Sequence, residues 1–419
     1  PQPFLQSPPD ISLIVQLTPP FYTFSWEQRK FEEIAVRSSV ICSDDTLPRV
    51  EYEDIVSGTG RLNKDIYAKQ SSKSGIVFHQ GDVLYGKLRP YLQNWLLPTF
   101  DGLAVGDFWV LQPQNADSSF LYRLIQSRQF DEVANQSTGT KMPRADWKLV
   151  SKTVFSIPSN ISEQAAIGTY FTALDSLITL HQRKFEKLTN VKKSMLEKMF
   201  PQNGSSYPEI RFKGFTDPWE QRKLSEITDK VTEKNAGLQY VETFTNSAEF
   251  GIISQRDFFD HDIAKLGSLD GYYIVKTEDF VYNPRISTSA PVGPINRNKL
   301  GRTGVMSPLY TVFRPHDIDT TYLEYFFKCG YWHSFMNFNG DSGARSDRFS
   351  IRDNVFFQMP IPIPDIDEQR KIGELLTCLD NLITLHQRQT IVYAVIRSIR
   401  KVILAERQYF APPMIRKSP

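Results

Sequence analysis

One long stretch occurs twice in the chain. "EQAAIGTYFTALDSLITLHQR" runs from Glu163 to Arg183, and "EQRKIGELLTCLDNLITLHQR" runs from Glu368 to Arg388, 205 residues further on. A second pair precedes each copy in the same order. "WEQRKFEEIA" (Trp26 to Ala35) is matched by "WEQRKLSEIT" (Trp219 to Thr228), 193 residues later. A period this long means duplicated domains, not a solenoid of short repeats. The 419 residues are enough for two or three domains with real cores. The second copy gains about a dozen residues between its markers.

Each copy has two parts. The first, 24–160 and 217–365, alternates short apolar runs with Gly, Pro and Asn. "GIVFHQGDVLYGKLRPYL" and "GYYIVKTEDFVYNPRIS" read as strand, turn and strand. The second part, 161–200 and 366–407, reads as one long helix. Ile167, Phe171, Leu174, Ile178, Phe185, Leu188, Met195 and Met199 fall on two rows at seven-residue spacing, 167–174–181–188–195 and 171–178–185–192–199, in which His181 and Lys192 are the polar members; this is the pattern of a coiled-coil seam. Pro158 and the polar Ser159, Asn160 and Ser162 mark its start, Glu163 suits the first turn, and Pro201 ends it. From Ser162 to Phe200 the helix would extend about 58 Å at 1.5 Å per residue. In the second helix Ile372, Leu376, Leu379 and Ile383 repeat the seam; beyond His386 the register shifts to Val392, Val395, Ile396, Ile399 and Val402. An amphipathic helix this long needs a partner for its apolar stripe, and the duplicate is the nearest one. The expected fold is therefore α+β: a tandem duplication of a mixed α/β recognition domain plus a long helix. The two helices would pack as an antiparallel coiled coil separating two heads, with 201–216 as a linker and 408–419 as a tail. The expected seam comprises Ile167, Phe171, Leu174, Ile178, His181, Leu379, Ile383 and His386. His181 and His386 lie near the two helix midpoints and are expected to meet at a local two-fold axis.

Composition narrows the class. With 40% apolar and 13% aromatic residues the chain is a folded protein. Its net charge is only +2, from 49 basic and 47 acidic residues, so any nucleic-acid site must come from local clustering. Cys42, Cys329 and Cys378 show no zinc-ligand spacing and fit free thiols in a reducing, cytoplasmic setting. The run Ile11 to Leu17 is too short to span a bilayer and lacks a basic flank, so no membrane partner is expected. Residues 1–23, with six prolines in the first twenty, read as a poorly ordered leader or the scar of a truncated upstream segment.

Taken together, "WEQRKLSEI", "GDVLYGKLRPYLQN", "STGTKMPR" and the two "EQ…LITLHQR" helices resemble the specificity subunit of Type I restriction–modification systems. The matches span nearly the whole chain from about residue 24 and come in the family's order. The resemblance implies two target-recognition domains, each reading one half of a split DNA sequence, with the helices as spacer. It implies a non-catalytic chain whose partners are double-stranded DNA, two methyltransferase subunits and the translocating restriction subunits. No cofactor is expected on this chain; S-adenosylmethionine, ATP and Mg are implied only for the partner subunits. Since the two heads diverge outside the matched motifs, the expected target is asymmetric and bipartite rather than a palindrome.

The residues themselves carry little catalytic signal. A DNA methyltransferase needs an (Asn/Asp)-Pro-Pro-(Tyr/Phe) loop, and the nearest strings, "YNPR" (Tyr282 to Arg285) and "FRPH" (Phe313 to His316), lack it. "GTGRLN" (Gly58 to Asn63) lacks the third glycine of a dinucleotide loop, and no P-loop occurs. The rivals left open are a protein-binding scaffold with a coiled-coil spacer and a self-contained methyltransferase or nuclease. DNA reading needs Lys and Arg for phosphate and donors for base edges. In the first head the candidates are Lys87, Arg89, Lys141 and Arg144. In the second they are Arg285, Arg345 and Arg348, with Arg297, Lys299 and Arg302 from the gapped "NRNKLGR". Tyr91 and Trp95 read as packing residues rather than base-stacking ones.

Overall fold

In the computed structural model the described residues are 25–68, 71–136, 142–202, 204–258, 266–341 and 347–410. The chain divides into two compact units. The first holds the globular part up to residue 160, the first half of one long helix (to Gln182) and the second half of the other (from Gln387). The second unit holds residues 183–386.

In the first unit, strand Trp26–Lys30 pairs antiparallel with Val154–Pro158, Trp26 facing Pro158. The repeated "WEQRK" thus closes the globular part at the point where the long helix Ile161–Lys198 leaves it. A four-stranded sheet follows the order Ala35–Ser38, Phe108–Pro113, Val83–Gly86, Trp95–Leu96, and a second joins Ile41–Cys42, Gly75–Phe78, Gly102–Ala104 and Arg49–Val50. The core between sheet and short helices is aromatic: Phe31, Tyr85, Trp109, Phe130 and Phe155 are buried together, with Phe31 and Phe130 rings 5.2 Å apart. On the long helices Ile167, Phe171 and Leu174 are buried in the same cluster as Ile396, and Val392 and Tyr393 pack against it.

In the second unit, Glu220–Lys223 pairs with Pro360–Ile363, again where a long helix, Ile366–Phe410, departs. One four-stranded sheet runs Thr228–Lys230, Thr311–Pro315, Phe280–Tyr282, Ile295–Arg297. In place of the other sheet stand two hairpin-like pairs, Phe244–Ser247 with Gly251–Ser254 and Tyr273–Val275 with Gly304–Met306. Met199, Phe200, Trp219, Tyr322, Phe326, Ile372, Leu376 and Leu379 share its main core, and Leu188, Val191 and Met195 pack against it.

The repeated glutamine has one use in both units. Gln164 accepts from the Asp117 backbone N–H at 2.9 Å and donates to the Pro158 carbonyl at 2.8 Å. Gln369 accepts from the Asp319 N–H at 2.9 Å and donates to the Pro364 carbonyl at 2.9 Å. Asp117 and Asp319 in turn cap the short helices Ser118–Leu124 and Thr320–Cys329. Each glutamine therefore ties a helix start to a strand end, and both are buried.

Part of the expected linker is docked. Ile210 and Phe212 pack on the core, and Arg211 forks onto the buried Glu368. Within each unit the long helices run antiparallel. Asp175 meets Arg397 in the first and Lys192 meets Asp380 in the second. Ile178, Ile383 and His386 are half-buried and His181 is buried. The His181 ring stacks on that of Tyr393, with centroids 5.5 Å apart. Val395 and Ile399, expected in the seam, are exposed.

The glycine of the repeated "IG" differs in tightness. A Cβ on Gly168 would stand 1.9 Å from Ser119 Oγ and 2.8 Å from the Ser119 carbonyl carbon, whereas on Gly373 it would meet only the Thr321 side chain at 3.1 Å, with Asp319 Oδ1 beyond. Overpacking costs about 1–3 kcal/mol and Ala recovers about 1 kcal/mol of helix propensity. Gly168→Ala is thus expected to lower the melting temperature by several degrees and Gly373→Ala to leave it nearly unchanged; equal shifts in thermal melts would contradict this packing.

Candidate nucleic-acid interface

In the first unit the strand Val83–Gly86 runs into Lys87, Leu88 and Arg89. Arg89 turns in a left-handed conformation (φ 50°) and Pro90 opens a short 3-10 turn. The segment around Arg144 lies against it. The Arg89 N–H donates to the Pro143 carbonyl at 2.7 Å and the Ala145 N–H to the Lys87 carbonyl at 2.8 Å. Behind this frame Tyr52 donates its hydroxyl to the Asp107 carbonyl at 2.6 Å and accepts from the Leu88 N–H at 3.0 Å. Burial pushes the Tyr52 hydroxyl up, so it stays protonated and a donor. The Asp107 carboxylate lies 3.4 Å from Lys87 Nζ and accepts from Arg144 Nη2 at 3.1 Å. Two cations facing one carboxylate, with Arg89 beside them, leave a net positive edge.

The second unit frames a loop in the same way. The Ile286 N–H donates to the Asp347 carbonyl at 2.9 Å and the Phe349 N–H to the Pro284 carbonyl at 2.7 Å. Leu88 bridges Arg144 in one unit and Arg285 bridges Arg348 in the other. The second loop is braced by amides instead of Tyr52 and Asp107. Asn283 accepts from the Arg285 N–H at 3.0 Å and donates to the Asn246 carbonyl at 2.8 Å. Arg285 and Arg348 are exposed, and among the described residues neither side chain has an ion-pair partner. The structure thus brings Lys87, Arg89 and Arg144 together in one loop pair, and Arg285 and Arg348 in the other. Lys141 and Arg345 lie outside the described residues.

The gapped segment, whose Arg297, Lys299 and Arg302 were further candidates, pairs its cations with carboxylates of the same unit. Arg297 is only 8% exposed, with Nη1 3.0 Å from Glu278 and Nη2 2.6 Å from Glu324; it also donates to Thr320 and Thr321. Its guanidinium holds a strand to a helix start. Burial pushes the Glu324 carboxyl up, but Lys328, Lys299 and Arg297 outweigh this and hold it below the usual carboxylate range. Lys299 sits 3.3 Å from the same carboxylate. Arg302 forks onto Glu242 at 2.7 and 2.8 Å, and that hydrogen-bonded pair keeps the Glu242 carboxyl low. Three loop-like cations in sequence are thus bound to carboxylates of their own unit.

Other surface features were not singled out from sequence. Trp95 is buried, as its packing role requires, but Tyr91 beside Arg89 is 56% exposed. Phe338 is 89% exposed, three residues before Asp341, which exchanges backbone hydrogen bonds with Ser350. Tyr52 and Asp107 come from distant segments, and only pairing of the loops reveals them. Among the described residues no group of three His, Cys, Asp or Glu side chains is placed to hold a metal ion, and no helix is long and apolar enough to cross a membrane.

Each of the two α+β units thus carries a loop-framed cationic edge, and comparisons with known proteins give the likeness. The Type I restriction modification DNA specificity domain matches residues 216–392. The specificity subunit of the Type I restriction enzyme MjaVIII of Methanocaldococcus jannaschii is 24% identical over 325 residues, 71% of this chain and 75% of that protein. The EcoDI specificity subunit of Escherichia coli is 25% identical over 186 residues, 42% of this chain and 41% of that one. In fold, the chain is similar to the S subunit of a Type I restriction–modification system from M. genitalium, with a TM-score of 0.53 at 12% identity, covering 94% of this chain and 98% of that one. The chain is thus similar to specificity subunits of Type I restriction–modification systems, most directly over residues 216–392.

Proposed function

We propose that the chain reads an asymmetric, bipartite DNA sequence, one half with each unit, and that the antiparallel long helices act as the spacer between two duplicated recognition modules. The observation that carries this reading is the recurrent loop frame. The same pair of backbone hydrogen bonds presents arginine at matching places, Arg144 and Arg348, while its surroundings differ. Asp107 and Tyr52 brace one loop, and Asn283 and Asn246 the other. A shared frame with different neighbours suits two modules that grip DNA alike and read different bases.

On this reading the chain is the non-catalytic recognition subunit. It docks two methyltransferase subunits and the restriction subunits through its repeated helices, and leaves S-adenosylmethionine, ATP and Mg to those partners. The test is selection of duplexes from a random pool by the full chain with its co-purified partners. The expected product is two unrelated half-sites at one fixed spacing, with affinity falling steeply as salt rises. A perfect palindrome would overturn the two-module reading. Binding indifferent to salt and sequence would replace it with a protein-binding scaffold.

A further inference from the structure

Two side-chain triads, one in each unit, occupy corresponding places of the repeat. In the first unit Asp175 of the long helix Ile161–Lys198 takes Arg123 Nη1 of the globular part at 2.8 Å through Oδ2. Arg397 of the helix Ile366–Phe410 lies with Nε 2.9 Å from Oδ1. Arg123 is further fixed by Thr172 at 3.0 Å. In the second unit Asp380 of the helix Ile366–Phe410 accepts the Tyr325 hydroxyl of the globular part at 2.8 Å through Oδ2 and pairs through Oδ1 with Lys192 of the helix Ile161–Lys198. Asp175 and Asp380 are 205 residues apart, and so are Lys192 and Arg397. Carboxylate and cation have exchanged helices. A step of 17 residues forward along one helix, from 175 to 192, is a step of 17 back along the other, from 397 to 380. Both ion pairs therefore record one register.

The apolar seam does not by itself select that register. Apolar contact is non-directional, and a heptad pattern offers equivalent rows after a slip of seven residues. The ion pairs do discriminate. A seven-residue slip carries Arg397 away from Asp175, which keeps Arg123, and carries Lys192 away from Asp380, which is left partly buried with the neutral Tyr325 hydroxyl; both losses are unfavourable. Arg123 and Tyr325 bind the same carboxylates to the globular parts, so the register is coupled to where each globular part sits on its helices.

We propose that Asp175 and Asp380 are the register-determining residues of the helix pair and, through it, set the spacing accepted between half-sites. They are positioning residues, and the second clause rests on the DNA-reading function proposed above. Cysteine pairs in the full chain read the register directly, with disulfides located by peptide mass mapping. His181→Cys with Tyr393→Cys reports the observed register, and Leu188→Cys with Tyr393→Cys, seven residues along the first helix, reports a slip of one heptad. The first pair should crosslink about tenfold more than the second, and adding Asp175→Asn and Asp380→Asn should bring the two close to equal. Arg397→Lys, which keeps a cation, should retain the original ratio. An unchanged ratio in a folded Asp175→Asn/Asp380→Asn chain overturns the proposal.

A second arm uses duplexes whose selected half-sites are separated by spacers varied one base pair at a time. A heptad slip is about 10 Å of helix, or about three base pairs. The Asn variant should therefore bind spacers about three base pairs from the original with affinity approaching that for the original. One unaltered optimum overturns the proposal. If the wild-type chain selects no DNA, the functional reading fails while the crosslinks still decide the register.

Discussion

Arg144→Ala combined with Arg348→Ala lowers affinity for the selected target by about 30-fold to 10,000-fold in a gel shift at fixed salt, since a good bidentate arginine contributes about 1–3 kcal/mol and distant sites add. The substitutions leave the loops in place. The bonds that join them run between backbone groups, from Arg89 to Pro143 and Ala145 to Lys87 in one unit, and from Ile286 to Asp347 and Phe349 to Pro284 in the other. The single variants separate two kinds of contact. An arginine on a base edge, when lost, relaxes selectivity at one position; an arginine on phosphate weakens all sequences alike and lowers the salt slope by about one. The two arginines should also differ. Arg144 is already paired with Asp107, so its loss removes a partly neutralised charge, while Arg348 is exposed and unpaired among the described residues. Arg348→Ala is therefore the costlier single change. Wild-type binding by the double variant sinks the assignment of these loops to DNA.

The parts legible in the sequence were those that rest on periodicity and on repetition. The seven-residue rows located both long helices to within a few residues, because a buried stripe on a helix must recur at that spacing. Repetition located the loops at Arg89, Arg144, Arg285 and Arg348, since turn chemistry at matched places leaves a visible mark in each copy. Contacts between distant segments leave no such local mark. Arg297 lies in a stretch with loop-like composition, yet Glu278 and Glu324 claim it; nothing near it in sequence says so. The helix register depends on Asp175 with Arg397 and Asp380 with Lys192, charges that a reading for apolar rows passes over. The linker's Gly, Ser and Pro are local signals, whereas its docking depends on Arg211 reaching a carboxylate 157 residues away.

That docking contact carries the second large effect. Glu368 opens the second long helix with its side chain 1% exposed, and Arg211 grips it with Nε and Nη2, each at 2.8 Å. The repeat holds the same glutamate in the first unit, Glu163, but there the Trp26 indole N–H donates to it at 3.3 Å. A guanidinium fork and a single indole N–H are unequal losses, so the two substitutions should differ in cost. Arg211→Ala strips a buried carboxylate of its guanidinium fork and should destabilise the second unit by about 3–5 kcal/mol, whereas Trp26→Phe, which keeps the ring and removes one neutral donor, should cost about 1 kcal/mol. Urea denaturation measures both, and hydrogen exchange should place the Arg211→Ala loss in residues 183–386. Pairing Arg211→Met with Glu368→Leu removes both charges at once and should recover most of the loss, because two apolar groups leave nothing unpaired. If the double replacement is as unstable as Arg211→Ala, the cost lies in the shape of the docked segment and not in the stranded charge.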